Sequence, residues 1–285
     1  MVKEKKINES MVEKDYYVTM FLKTLSEKLP NMIFKGGTSL SKCYGVIKRF
    51  SEDIDITLEY KDRLTEGQRR GIKQAVVDSA TELGFEIINL EKTRSRRDFN
   101  RYEIDYPANF LLADLKQFVL VETSVSVRSF PSEIKTAKSL IQEFLEEKNL
   151  QRIAEQYDLR AFTIRTQSLD RTLIDKLFAL GDYYIQDKVA GHSRHIYDIY
   201  KLFPLVKIDD NFLSLVKEVR EVRKTSQYCY SAQEGVDVKK LLTEIADKDV
   251  YKKDYEENTQ TLLFEKVTYA ETKKALSEII TLVQF

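Results

Sequence analysis

Phe34-Lys35-Gly36-Gly37-Thr38-Ser39-Leu40-Ser41-Lys42 and Arg49-Phe50-Ser51-Glu52-Asp53-Ile54-Asp55-Ile56 are the two stretches whose reading decides the fold. Asp53, Asp55 and Thr57 alternate with Ile54, Ile56 and Leu58, which is the period of a strand. Side chains at i and i+2 share one face, so both carboxylates point the same way while Ile54 points into a core. Hard divalent cations prefer oxygen ligands and commonly join one or two carboxylates to substrate phosphates. An isolated Asp-x-Asp is also what the solvent face of an amphipathic strand looks like. The glycine stretch bears on that choice. Residues 31–34 have the character of a short strand running into Gly36-Gly37, and helix-compatible residues follow over 38–44. A helix start offers free N–H groups and the positive end of the helix dipole, and so suits an anion. Gly36 and Gly37 admit close approach of a triphosphate, Thr38 and Ser39 add hydroxyls, and Lys35 and Lys42 add charge. The plainer alternative is a tight turn whose Thr38 caps a helix. The Gly-Lys-Ser/Thr ending of a P-loop is missing, which argues against a P-loop ATPase.

On either side of this core the periodicity continues. Tyr17, Phe21, Leu22, Leu25 and Leu29 recur at helical spacing. Ile72, Ala75, Val76, Ser79, Ala80 and Leu83 form a second helical stripe that Gly84 can close. Strands are expected over 85–90, 102–106 and 117–127, then a helix through Ile134, Ala137, Ile141, Phe144 and Leu145. A strand over 161–166 precedes Ser168, which can cap a helix over 169–185. Little beyond it has strand character. The chain is therefore expected to divide into an α/β part, residues 1–166, and a helical part, residues 167–285.

Composition narrows the possible functions. The 285 residues carry 46 Lys plus Arg and 46 Asp plus Glu, a net charge of zero, so contact with nucleic acid would need a local patch. The densest basic run is Lys92, Arg94, Arg96, Arg97 and Arg101. Guanidinium forks suit phosphate oxygens of a triphosphate or an RNA backbone, whereas a solvated loop is the default for such charge. Two cysteines far apart argue against a disulfide framework, and two histidines against a histidine-based metal site. The first ten residues lack the apolar core of a signal peptide, and no apolar run approaches the ~20 residues of a membrane span. A soluble, cytoplasmic protein is the expectation.

Taken in order and spacing, the two opening stretches resemble the polymerase-β-type nucleotidyltransferase signature, a glycine turn followed by an Asp-x-Asp strand. More narrowly, the chain resembles the AbiEii/AbiGii toxin family of abortive-infection and type IV toxin–antitoxin systems. Glu13-Lys14-Asp15-Tyr16 matches a motif of that family. Similar segments continue at Ser95-Arg96-Arg97-Asp98-Phe99-Asn100-Arg101-Tyr102, at Arg171-Thr172-Leu173-Ile174-Asp175-Lys176, at Ser193-Arg194-His195-Ile196-Tyr197-Asp198, and at Asp254-Tyr255.

The resemblance implies an α+β fold, a polymerase-β-like domain with a mixed sheet plus a C-terminal helical domain contributing to the active-site cleft. It implies transfer of a nucleoside monophosphate from an NTP with Mg2+ or Mn2+. Asp53 and Asp55 would be metal ligands and catalytic, alongside Lys176 and Asp198. Lys35, Gly36, Gly37, Thr38, Ser39, Lys42 and Arg194 would bind the nucleotide. The fold commonly adds a third carboxylate from a neighbouring strand. Glu122, a lone charge in an apolar strand, is the candidate, with Asp105 behind it; an edge-strand glutamate facing water is the alternative. Lys176 would reach the phosphates and Asp198 would orient Lys176 or the nucleotide, although Arg194 and Asp198 have the i,i+4 spacing of a simple ion pair. Arg94, Arg96, Arg97 and Arg101 would touch phosphate or RNA, and His195 would be a packed histidine. Some relatives modify the 3′ end of tRNA, which makes tRNA the expected acceptor. A small molecule or a protein is the alternative acceptor, and a non-catalytic NTP-binding protein the alternative of another class. A cognate antitoxin from a neighbouring gene is the expected partner.

Overall fold

The structure is a computed structural model that describes residues 1–5, 7–61, 63–110 and 116–285. Two compact units emerge, Met1–Gly45 with Phe50–Gln167, and Val46–Arg49 with Ser168–Phe285.

The first unit runs α1 (Val2–Lys5), α2 (Glu9–Lys28), β1 (Met32–Lys35), α3 (Gly36–Lys42), β2 (Asp53–Leu58), α4 (Glu66–Leu83), β3 (Glu86–Ile87), β4 (Phe99–Asp105), β5 (Phe118–Ser124), β6 (Ser132–Ala137), α5 (Leu140–Glu147), α6 (Gln151–Gln156) and β7 (Phe162–Gln167). Its seven strands form one sheet in the order β3-β4-β5-β2-β1-β7-β6. The β2–β5 and β1–β7 pairs are parallel and the rest antiparallel, so the sheet is mixed. Strand alternation makes it two-faced: on β4, Asn100, Tyr102 and Ile104 are buried while Phe99, Arg101 and Asp105 are exposed. The apolar face, including Phe34, Ile54, Ile56, Tyr102 and Val121, packs on Val18, Phe21, Leu22 and Leu25 of α2 and Ile72 and Val76 of α4. Each fully buried Leu, Ile or Phe there contributes about 1.5–3 kcal/mol. Thr65 and Gln68 form a capping box at the start of α4, and Gly84 ends that helix in the left-handed region at φ 68°.

Glu13-Lys14-Asp15 turns out to be a structural clamp on α2. Glu13 accepts from the backbone N–H groups of Asn109 and Phe110. Lys14 donates to the Lys116 carbonyl at 2.6 Å and lies 2.5 Å from Glu52. Asp15 accepts from Lys42 at 2.5 Å and from the Leu140 N–H at 2.7 Å, tying α3 and the start of α5 to α2.

The second unit is helical: α7 (Leu169–Ile185), α8 (Arg194–Leu202), α9 (Asp210–Lys224), α10 (Val238–Asp247), α11 (Lys252–Glu257) and α12 (Tyr269–Leu282). Ser168 caps α7 by accepting from the Arg171 N–H. Leu173, Leu177, Ile196, Ile199, Val216, Leu242, Ile245 and Ile279 are buried in its core. Val46–Arg49 belongs to this unit, with Arg49 bridged to Leu263 and the Phe264 N–H donating to the Lys48 carbonyl at 2.8 Å.

A mixed sheet followed by helices is the α+β architecture expected. Two elements depart from expectation. Ile134 and Ala137 belong to β6, which pairs with β7 over six positions, and the helix begins only at Leu140 behind its Ser139 cap. The apparent stripe joined one strand end to one helix face. The strand expected over 85–90 shrinks to Glu86–Ile87, because Asn89 turns the chain into a short helical turn at Leu90–Lys92. Among the described residues, no helix is long and apolar enough to cross a membrane.

Candidate active site

Asp53 and Asp55 lie half-buried on β2, two residues apart on the sheet face opposite the α2–α4 core. Asp55 is in register with Lys35 of β1 on one side and Glu122 of β5 on the other. Glu122 is in turn opposite Arg101 of β4. Register partners share a face, so a row of alternating charge, Arg101–Glu122–Asp55–Lys35, crosses four strands.

The glycine turn is brought directly against this row. β1 ends at Lys35 and α3 begins at Gly36, where the Lys35 side chain makes no cap bond. Gly36 has φ +78°, and a Cβ there would fall 2.9 Å from Asp55 Cγ and nearer still to its Oδ2. Only glycine fits, because any side chain would strain the backbone and overlap the carboxylate. The turn and the acid pair form one packed unit.

Three neighbours expected at the phosphates are engaged elsewhere. Lys42 is buried and turned inward, donating to Asp15 Oδ1 at 2.5 Å and Thr19 Oγ1 at 2.7 Å. At the last turn of a seven-residue helix its side chain meets α2 instead of the helix start. The Ser39 hydroxyl donates to the Gly36 carbonyl at 2.8 Å, and Thr38 Oγ1 shares a hydrogen bond with Ser51 Oγ at 3.0 Å. Both hydroxyls are already hydrogen-bonded within the protein. Glu122 stands in register with both Asp55 and Arg101. Its carboxylate is 3.9 Å from Arg101 Nε, and among the described residues no three His, Cys, Asp or Glu side chains are grouped as metal ligands. Asp105 lies at the far end of β4, opposite Phe118 and Glu86. Two carboxylates, Asp53 and Asp55, are the oxygen donors beside the turn. That fits a cation that completes its shell with water and substrate phosphates.

The basic run forms a held ledge at the edge of β4. Asn100, buried, accepts from the Arg94 N–H at 2.9 Å and donates to the Arg94 carbonyl at 3.0 Å. Lys73 donates to the Thr93 carbonyl at 3.1 Å, and Arg69 pairs with Asp98. Lys92, Arg94, Arg96, Arg97 and Arg101 are exposed.

In the second unit a different cluster is sealed from solvent. Asp198 of α8 is fully buried and accepts from Arg49 Nε at 2.7 Å, Arg49 Nη2 at 2.8 Å and Lys176 Nζ at 2.6 Å. Burial works to raise the Asp198 carboxyl, but the Arg49 and Lys176 charges overcome it and hold it well below the usual carboxylate range. Lys176 is also lowered, by burial first and by the Arg49 and Arg194 charges, against the pull of Asp198. The two move down for different reasons: burial lowers Lys176, whereas the two cations lower Asp198. Arg194 sits half-buried at the start of α8. His192 and His195 stand with rings parallel to Tyr183 at 3.5 and 5.6 Å between centroids. Burial and neighbouring cations push His192 down to about 4 and His195 well below its ordinary value, so both are neutral at pH 7.

A family model described as nucleotidyl transferase AbiEii toxin, type IV TA system, matches residues 21–279. The chain belongs to the AbiEii family. AbiEii proteins are nucleotidyltransferase toxins of type IV toxin–antitoxin systems, and membership implies a cognate antitoxin. No curated protein matches the chain. The AbiEii match includes both clusters, the one on β2 and the one around Asp198. Arg49 has no role assigned from sequence, although it stands only four residues before Asp53. A lone arginine ahead of a buried-strand pattern was the available signal. Asp15 was likewise visible in Glu13-Lys14-Asp15-Tyr16, but nothing local showed that its partner is Lys42.

Proposed function

We propose that this nucleotidyltransferase transfers a nucleoside monophosphate from an NTP to an acceptor hydroxyl, with the 3′ end of tRNA as acceptor and Mg2+ as the required cation. The observation that carries the reading is the packing of Gly36 against the Asp55 carboxylate, which sets a glycine-led helix start beside two oxygen donors. A triphosphate needs both. Backbone N–H groups of Gly36, Gly37, Thr38 and Ser39 bind phosphate oxygens at the positive end of α3. Lys35, in register with Asp55, adds a point charge at the same face. Asp53 and Asp55 would hold the divalent cation, which neutralises phosphate charge when bound. In the second unit, Lys176 takes the phosphate-directed role that the family resemblance gives it, with Asp198 2.6 Å from its Nζ. Asp198 then acts by positioning Lys176. The sheet face carrying the pair also carries Arg101, and the Arg94–Arg96–Arg97 ledge beside it suits an RNA backbone.

Incubation of the purified protein with α-labelled NTPs, Mg2+ and total tRNA is the test. Label should enter RNA with wild type and fail to do so with Asp53→Ala, Asp55→Ala or excess chelator. Absence of label in any RNA, protein or small molecule, with wild type and Asp53→Ala alike, overturns the reading. Label in a protein or small molecule alone overturns the acceptor.

A further inference from the structure

Phe99 is an aromatic ring left open on a charged sheet face. It is 50% exposed, at the start of β4, on the same sheet face as Asp53 and Asp55. Its register partner is Ser124, too small to cover the ring, and Arg101 follows two residues on along the same face. From β4 to β2 is two strand spacings, roughly 10 Å. The edge beside Phe99 is fixed by side-chain bonds. Asn89, buried, donates to the Arg101 carbonyl at 3.1 Å and accepts from the Glu103 N–H at 3.1 Å. Asn100 brackets Arg94 in the same way, and the Val125 N–H donates to the Asp98 carbonyl at 2.8 Å. Of the acids nearby, Asp98 pairs with Arg69, and Glu122 stands 3.9 Å from Arg101. Arg96, with its side chain 76% exposed and only 3.9 Å from Glu66 at best, projects from this ledge.

An exposed aromatic ring next to a run of exposed arginines is an arrangement with which proteins hold single-stranded nucleic acid. Every base has a π-face for stacking, and the cations follow the backbone. Duplexes bury their base faces and cannot use such a ring. We propose that Phe99 and the Arg94–Arg96–Arg97 ledge bind the single-stranded end of the acceptor RNA, with one base stacked on Phe99 and the chain leading to the Asp53/Asp55 face. This rests on the nucleotide-transfer reading for its biological sense but not for its test.

The test is fluorescence anisotropy with a short labelled single-stranded RNA carrying a free 3′ hydroxyl, without NTP. Phe99→Ala should weaken binding by about ten-fold, the scale of one lost base–aromatic stack. Phe99→Tyr should bind within roughly two-fold of wild type, and Phe99→Leu, apolar but without a π-face, should resemble Phe99→Ala. The same RNA as a blunt duplex should bind more weakly than the single strand. Thermal unfolding of each variant separates binding loss from misfolding. In the transfer assay, Phe99→Ala should raise KM for the acceptor and leave KM for the NTP unchanged. Phe99→Ala binding like wild type, or no binding of single-stranded RNA by wild type, overturns the proposal. Transfer to tRNA that persists in that case leaves the proposed function standing. Phe99-dependent RNA binding without any NTP transfer leaves the ledge standing and removes the enzyme reading.

Discussion

Asp55 and Asp198 are both aspartates in stretches that carry the family resemblance, yet their surroundings assign them opposite conditions. Asp55 is half-buried on a strand face, with a glycine backbone pressed against its carboxylate and a like-charged neighbour two residues away. Asp198 is fully buried with Arg49 and Lys176 already on its oxygens. A carboxylate beside another carboxylate and a glycine turn has the oxygen donors to take a cation from outside. A carboxylate between two internal cations is already committed, and removing it strands them. Breaking a buried pair therefore harms the fold, while removing a half-buried carboxylate at the site chiefly harms the chemistry.

Asp53→Ala or Asp55→Ala should lower nucleotide transfer by at least about 1,000-fold, the scale of losing a metal that stabilises phosphate charge. Their unfolding free energies should stay within about 1 kcal/mol of wild type, and a larger drop in urea titrations would erase the contrast. Asp198→Ala should show the reverse weighting, losing about 3–5 kcal/mol of stability because Arg49 and Lys176 remain buried without their acid. Its pH dependence sharpens the point. The folded-state carboxyl is held below its unfolded value, so its contribution is complete above that value and is lost as pH falls below about 4. Wild type should lose stability on that acid limb more steeply than Asp198→Asn, as followed by unfolding at successive pH values. Gly36→Ala should destabilise by about 1–3 kcal/mol through its positive φ alone and should also reduce transfer, because the added Cβ displaces Asp55. The smallest effect belongs to Glu122→Gln. With its carboxylate facing exposed Arg101, transfer should fall by less than about ten-fold.

The division between readable and unreadable features follows chain separation. The Asp53/Asp55 pair, the Gly36 turn, the α4 stripe closed by Gly84 and the Ser168 cap are set by neighbours within a turn or a pleat, and periodicity exposes them. Lys42 sits within the quoted glycine stretch, but its fate depends on Asp15, 27 positions away. Arg49 depends on Asp198 at a separation of 149, and Lys176 on Asp198 at 22. Ile134 shows the same limit from the other side. Its apparent helical spacing to Ala137 held only until pairing with β7 claimed both for a strand.

From the sequence by itself came the α+β class, the family resemblance, the strand presenting Asp53 and Asp55, and the helix bearing Lys176. Each follows from local stereochemistry, which repeats every two or 3.6 residues and leaves its mark in the order of residues. Tertiary structure alone decided that Lys42 serves α2, that Glu122 answers Arg101, that Arg49 completes the Asp198 cluster, and that Phe99 shares a face with the acid pair. Periodicity tells a side chain which face it occupies. A charge finds its partner through space, and only the folded chain brings the two within reach.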